Sequence, residues 1–433
     1  MACLRLSQIA LLLLFSVLTI TSCGSGGSDS PAPPAGKAKW TIMVYLDGDN
    51  DLDAYAQTDL KEMMAVGSDS NVTILAQQDG YGTKTVRYKV NKGALSTLAE
   101  LGEADMSSSA VLRDFIAYGV KNHPADHYAL VLWDHGTGWK ASKAGTLTKA
   151  LLNDWDNNGV RSDAAANYYV AKGIRDAATQ TGVTLDIIGV DACDMSTLEA
   201  AYEFRDLAGY LVSSQDLIDS TGWDYNDLLS RLKANPAMTP RTLASAMVDS
   251  YKTFYEKAGQ TDATLSAIQL GSGVKTLASA VNSLGQTITL KMSADSTKAA
   301  ALAMLNNARA SVQPFDLAIN TDTYVDLYDL AGYLEGAGGS VQTALKNVVV
   351  NNYNGSDRPK ANGLSIVFYD LNELYDKSVF LGRSLYDVDY INLENTREAP
   401  VAFLTDYSWE TMLNTYYSLQ YPQKYARLQH WTN

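Results

Sequence analysis

Cys193 ends the apolar run DIIGVDAC, and His135 occupies the same position after another apolar run, YALVLWDHGTGW. The other two cysteines, Cys3 and Cys23, lie at the extreme N-terminus, so the body of the chain offers Cys193 no disulfide partner. Each of the two residues leaves a predicted buried strand at its C-terminal end, and His135 runs straight into a glycine-rich turn. If the strands are parallel neighbours, thiol and imidazole emerge on one edge of the sheet, where open α/β sheets place their ligands. A free thiol is only a few per cent ionised at neutral pH, so a cysteine nucleophile needs a base beside it. That is the requirement a Cys/His dyad meets. His123 and His127 flank a helix end and a strand start, and His430 lies in the tail. Taken alone, Cys193 would read as an inert buried thiol; the joint pattern argues for chemistry.

The elements that must position this pair alternate. Strands are predicted over 40–46, 72–77, 128–133, 185–190 and 210–214, with helices over 52–65, 109–121, 168–180 and 195–205. Such alternation specifies a mostly parallel sheet with helices on both faces, because parallel strands need crossovers. Residues 85–90 read as an additional antiparallel strand. Beyond Asp224 helices dominate, over 224–233, 241–258, 274–290, 297–311, 324–334 and 341–349. Two strands interrupt them, 264–269 and 363–369, and the second, in GLSIVFYD, reads as an extension of the sheet. With no internal repeat and no second linker, this half is expected to pack directly on the first.

The N-terminus is a targeting segment. Arg5 supplies a positive start, residues 9–20 are apolar except for Ser16 and Thr19, and Ile20-Thr21-Ser22-Cys23 closes the run. It is short for a bilayer span and fits a signal peptide. The ending resembles a bacterial lipoprotein box, which implies cleavage after residue 22 and acylation of Cys23; Gly24 in the next position resembles the signal for the outer membrane. The segment after it, within 23–38, is rich in Gly, Ser and Pro and reads as a flexible tether. The net charge of −14 argues against nucleic acid or an anionic membrane surface as partner.

HGTGW at 135–139, DAC at 191–193 with Met195 following, WTIMVYLDGDNDLD at 40–53 and SSQDLIDSTGWDY at 213–225 together resemble the clostripain family of cysteine peptidases, relatives of caspases, gingipains and legumains. The resemblance runs from about Lys39 to the C-terminus. It implies a caspase-like α/β/α sandwich, with a catalytic core over 39–260 and a helix-rich remainder over 261–433. It implies an endopeptidase that cuts polypeptides after Arg or Lys, with Cys193 as nucleophile, His135 as base and the N–H groups of Gly136 and Cys193 as oxyanion donors. Asp191, two residues before the nucleophile, matches the aspartate that binds the basic side chain; capping the following helix is the structural alternative. Ser214, Asp216, Asp219, Trp223 and Asp224 fall in the stretch that would wall the pocket. By the same resemblance the long segment 140–167 is cut by the enzyme itself, and of Lys140, Lys143 and Lys149 the bond Lys149-Ala150 is the expected site.

Two acidic stretches raise calcium, though no cofactor is required by the chemistry. DGDNDLD at 47–53 has Leu52 where an EF-hand loop needs glycine and Thr58 where it needs glutamate, so it reads as a turn and helix cap. DWDNNG fits better through Asp154, Asp156 and Asn158, with Ala165 in the glutamate position and Asp163 nearby. No dinucleotide or P-loop signature and no zinc-spaced histidine pair is present. The rival from another class is a non-catalytic surface-binding lipoprotein on the same scaffold, which a thiol-reactive peptidyl probe would separate from the enzyme.

Overall fold

The computed structural model describes residues 36–139, 151–155, 165–315, 323–381, 390 and 399–429. Five parallel strands form the centre of its large sheet: β1 (Ala38–Gly48), β2 (Val72–Gly80), β5 (Ala125–Trp133), β6 (Leu185–Asp191) and β7 (Ala208–Ser213), in the order β2-β1-β5-β6-β7. Antiparallel strands close both edges. β3 (Thr85–Asn91) and β4 (Ala94–Gly102) extend it beyond β2, and β8 (Thr264–Gln269) and β11 (Val349–Asn354) beyond β7.

Strand periodicity builds the two layers. Along β1, Met43 and Tyr45 face one core while Ile42, Val44 and Leu46 face the other; along β5, Leu130 and Leu132 oppose Ala129, Val131 and Trp133. The first core takes in α2 (Ser109–Asn122), α3 (Asn167–Thr181) and α7 (Ser272–Ser293), and the second α1 (Asp53–Val66), α5 (Tyr225–Ala234) and α6 (Pro240–Ala258). Side chains end the helices where the sequence offers them: Ser108, Asp224 and Thr239 cap α2, α5 and α6, and Gly259 closes α6 in the left-handed conformation.

The connection from β1 leads to β2 on one side, and the chain then returns to place β5 on the other. The strand order therefore reverses between parallel β1 and β5, and the crevice at such a switch point is open at the carboxyl ends of the strands. The registers there are level. Trp133 pairs with Leu46 on one side and with Asp191 on the other, so His135 and Cys193 each lie two residues past a matched pair.

The C-terminal strands depart from expectation. Residues 363–369 do not extend the large sheet: β12 (Ser365–Val367) pairs with β10 (Tyr324–Asp326), which also pairs with β9 (Pro314–Phe315), in a separate small sheet. The edge beside β8 is taken instead by β11, which was not expected as a strand. β11 is mostly half-buried, so it lacks the alternation that marks a strand, whereas β12 is fully buried. β4 lacks that alternation too, being an edge strand with no buried residue.

Candidate active site

The His135 turn is held from three directions. The Asp134 N–H donates to the Asp191 carbonyl at 3.3 Å, continuing the β5–β6 ladder past the strand ends. Gly136 lies against Cys193: a Cβ there would collide with the Cys193 carbonyl oxygen and stand 2.9 Å from the Cys193 nitrogen. Gly138 has φ +76° and packs on the Tyr324 ring edge, whose hydroxyl donates to the Thr137 carbonyl (2.9 Å) and accepts from the Trp139 N–H (3.0 Å). The Asn167 amide donates to the Gly138 carbonyl at 2.9 Å. The half-exposed His135 ring meets Asp51 through Nε2, 2.8 Å from Oδ1.

Cys193 follows β6 at a tight bend in which buried Asp194 has φ +60°. The chain then enters the short helix α4 (Leu198–Glu203), capped by Thr197. The thiol sulfur accepts from the Ile218 N–H at 3.3 Å. Burial, with the charges of Asp194, Asp216 and Asp191 adding to it, pushes the thiol up to about 12 against the pull of the Ile218 N–H. Cys193 therefore rests as a neutral thiol at physiological pH, and a base must take its proton during attack.

His135, Cys193 and Asp191 line one cavity of about 230 Å³, together with Leu52, Ile218 and Asp219. At its floor Asp191 accepts from the Trp223 N–H (3.1 Å) and the Tyr225 hydroxyl (3.0 Å), both on Oδ2. Capping of the following helix falls to Thr197 instead. Burial lifts Asp191 to about 7. Behind it, Asp59 accepts from the Trp133 indole N–H at 2.7 Å and is lifted to about 9 by burial and by Asp191.

The remaining expected pocket residues divide. Asp219 lines the cavity, its carboxylate engaged by the N–H and hydroxyl of Thr221 at 2.9 Å each. Asp216 is buried and ion-paired with Arg358, and Ser214 is buried with its hydroxyl 2.8 Å from that of Thr264. Trp223 contributes its N–H to Asp191 while its ring packs under Gly189, and Asp224 is the N-cap of α5. These four do not line the cavity; they hold its frame. Charge and position in the sequence could not separate a wall from its supports.

Of the calcium donors expected from the sequence, Asp154 lies among the described residues. Asp154 is buried, accepts from the Met106 N–H at 2.8 Å, and lies with Asp49 and Glu103 such that one oxygen of each falls within 4.8 Å of the others. Asp156 and Asn158 are outside the described residues, as are Lys149, Ala150 and Cys23. Asp49, Glu103 and Asp154 come from three separated segments of the chain. Burial and neighbouring carboxylates lift Asp154 to about 7 and Asp79 to about 8, and raise Asp47 well above the usual range. An all-oxygen donor set of this kind suits a hard divalent cation. The segment carrying Asp154 is docked beside the site: Leu151 bridges to Gly136, the Asn153 N–H donates to Asp134, and the Trp155 N–H donates to the Asp49 carbonyl at 2.8 Å.

A sequence model of the clostripain family, Peptidase C11, matches residues 44–431. The chain belongs to the clostripain family. Clostripain of Hathewaya histolytica is 29% identical over 227 residues, 45% of this chain and 42% of that protein, so the chain aligns with less than half of the curated relative. Among solved structures, a secreted C11 cysteine protease from Bacteroides thetaiotaomicron, in complex with an irreversible peptide inhibitor, superposes with a TM-score of 0.65 at 20% identity. That match covers 86% of this chain and all of the other. An inactive zymogen C11 protease from Parabacteroides distasonis gives 0.60 at 19% identity, over 87% and 98% of the two chains. At this identity the likeness is one of fold, the caspase-like α/β/α arrangement. Cys193 is the cysteine among the described residues of this clostripain-family chain.

Proposed function

We propose that the protein is an endopeptidase that cleaves polypeptides after Arg or Lys, with Cys193 as nucleophile and His135 as base. The observation that carries this reading is the one cavity that brings together a thiol, an imidazole and a buried carboxylate. His135 takes the thiol proton as sulfur attacks the scissile carbonyl carbon, and the N–H groups of Gly136 and Cys193 receive the oxyanion. Collapse expels the amine, protonated by the imidazolium, and leaves a thioester. Water, deprotonated by His135, then hydrolyses it. Asp191 recognises the basic side chain: among the described residues its protein donors fall on Oδ2, which leaves Oδ1 to accept from a guanidinium or ammonium ligand.

The same reading includes three further features, two of which fall outside the described residues. Cys23 carries a lipid that tethers the domain to the cell envelope, at the outer membrane; among the described residues no helix is long and apolar enough to cross a membrane. The enzyme cuts its own Lys149-Ala150 bond, and a calcium ion joins Asp154 to Asp49 and Glu103. Cleavage profiling of a peptide library, with Cys193→Ala as control, tests the central assignment. Cuts confined to bonds after Arg and Lys are expected, and efficient cleavage after Asp or Asn would overturn it. Mass spectrometry of the same two proteins reads the lipid on Cys23 and the processing at residue 149.

A further inference from the structure

We infer that Asp51 is the positioning residue of this active site, accepting the Nε2 proton of His135 and so presenting Nδ1 to Cys193 as the base. The inference rests on the proposed dyad and adds to it a third member, contributed by the loop after β1.

Three observations lead there. First, the topology sets the loops after β1 and β5 side by side at the switch point, and the matched register of Leu46 with Trp133 carries both chains out level. Second, Asp51 Oδ1 stands 2.8 Å from His135 Nε2. A ring nitrogen bonded to a carboxylate carries the proton, which makes the other nitrogen the acceptor. Third, the backbone on either side of Asp51 is fastened to the His135 loop. Buried Asn50 accepts from the Leu52 N–H (2.8 Å) and donates both to Asp134 Oδ1 (2.8 Å) and to the Asn153 carbonyl (2.9 Å). Asp134 is the chain neighbour of His135. The aspartate and the histidine are therefore tied to each other through their adjacent residues as well as through the side-chain contact.

The need for such a residue follows from the thiol. Cys193 is held neutral by its surroundings, so no thiolate waits for substrate, and attack requires an imidazole whose nitrogen nearest the sulfur is unprotonated. With Nδ1–H facing the thiol, His135 would offer a donor to a donor and the proton would have nowhere to go. Fixing the tautomer through the opposite nitrogen removes that dead state, and it leaves the ring's orientation set before substrate arrives. Asp51 is largely exposed, so the pair contributes little to folding. Its contribution is to the rate.

The test uses the full chain with Asp51→Ala and Asp51→Asn, beside Cys193→Ala and His135→Ala, on a peptide amide cleaved by the wild type. Asp51→Ala is expected to lower kcat roughly 100-fold, the low end of positioned acid–base contributions, with KM and Tm close to wild type. Asp51→Asn, which can present an amide oxygen to the same N–H, is expected to recover part of the loss. Independently of turnover, 15N-histidine NMR at an alkaline pH where imidazoles are neutral should show the His135 proton on Nε2 in the wild type and a mixture in Asp51→Ala. If kcat for Asp51→Ala stays within twofold of wild type while Cys193→Ala is dead, or if the wild-type proton sits on Nδ1, the assignment of Asp51 is overturned and the dyad survives. Activity retained by Cys193→Ala or His135→Ala would overturn the dyad and Asp51 with it.

Discussion

Gly136 and Cys193 meet backbone to backbone, with no room for a methyl group between them. The histidine turn and the nucleophile bend are therefore one packed unit, and the two amides proposed to receive the oxyanion belong to it. Gly136→Ala must push the two loops apart, because the atoms in the way are main chain and cannot rotate aside. The expected result is a folded protein with kcat lowered on the order of 100-fold or more, the scale of losing one oxyanion donor. Steady-state kinetics alongside circular dichroism would check it, and a fully active Gly136→Ala would show that the contact is slack.

Cys193→Ala and His135→Ala should each abolish cleavage, and the double variant should be no worse than either, since the two side chains act on one step. Single-turnover assays on all three proteins give the comparison. Additive losses would mean that another group does the work of one of them.

Asp191 is expected to govern selectivity in a pH-dependent way. Its carboxyl is lifted to about 7, so in the free enzyme the floor is neutral below that pH and anionic above it. kcat/KM for Arg and Lys substrates should rise as pH increases through about 7, less steeply for neutral substrates. Asp191→Asn should cost basic substrates on the order of 3 kcal/mol, roughly 100-fold, and flatten that rise. Equal losses for basic and neutral peptides would remove Asp191 from recognition.

The same burial makes a statement about stability. Asp59 and Asp191 bind protons in the folded chain at pH values where the unfolded chain has released them, so folding stability must fall as pH rises from about 4 toward 9. Asp59→Asn removes the larger of these contributions and leaves an oxygen for the Trp133 N–H. Its Tm should decline less between pH 5 and pH 8 than that of wild type. A parallel decline in both proteins would contradict the assignment.

Calcium should act on stability through a different group of carboxylates. If Asp49, Glu103 and Asp154 hold the ion, millimolar calcium raises Tm at pH 8, chelator reverses it, and Asp154→Asn loses most of the response. Isothermal titration of the chelator-treated protein measures the binding directly. An unchanged Tm and no heat of binding would remove calcium from the description.

Much of this site was legible in one dimension because its main parts obey strand rules. An apolar run marks a buried strand and puts the residue that follows it at the strand's carboxyl end, and two such runs set His135 and Cys193 at one sheet edge, where they line one cavity. Glycine likewise declared itself: HGTGW needs residues without side chains because main chain and the Tyr324 ring press on Gly136 and Gly138. Local chain geometry and the cost of exposing apolar surface act on neighbours in sequence, so their traces are written there. What the tertiary structure alone decided is which polar residues meet. Asp51 lies in a stretch that resembled a failed calcium loop, yet strand order sets it against a histidine far along the chain. Asp216 and Asp224 had the charge of pocket walls, but one is taken by Arg358 and the other by the end of a helix. Tyr324, within a stretch read as helix, reaches the histidine turn because β10 packs beside it. A carboxylate or hydroxyl can be satisfied by any donor or acceptor within about 3 Å, and which one comes that close is a property of the folded chain, not of the residue.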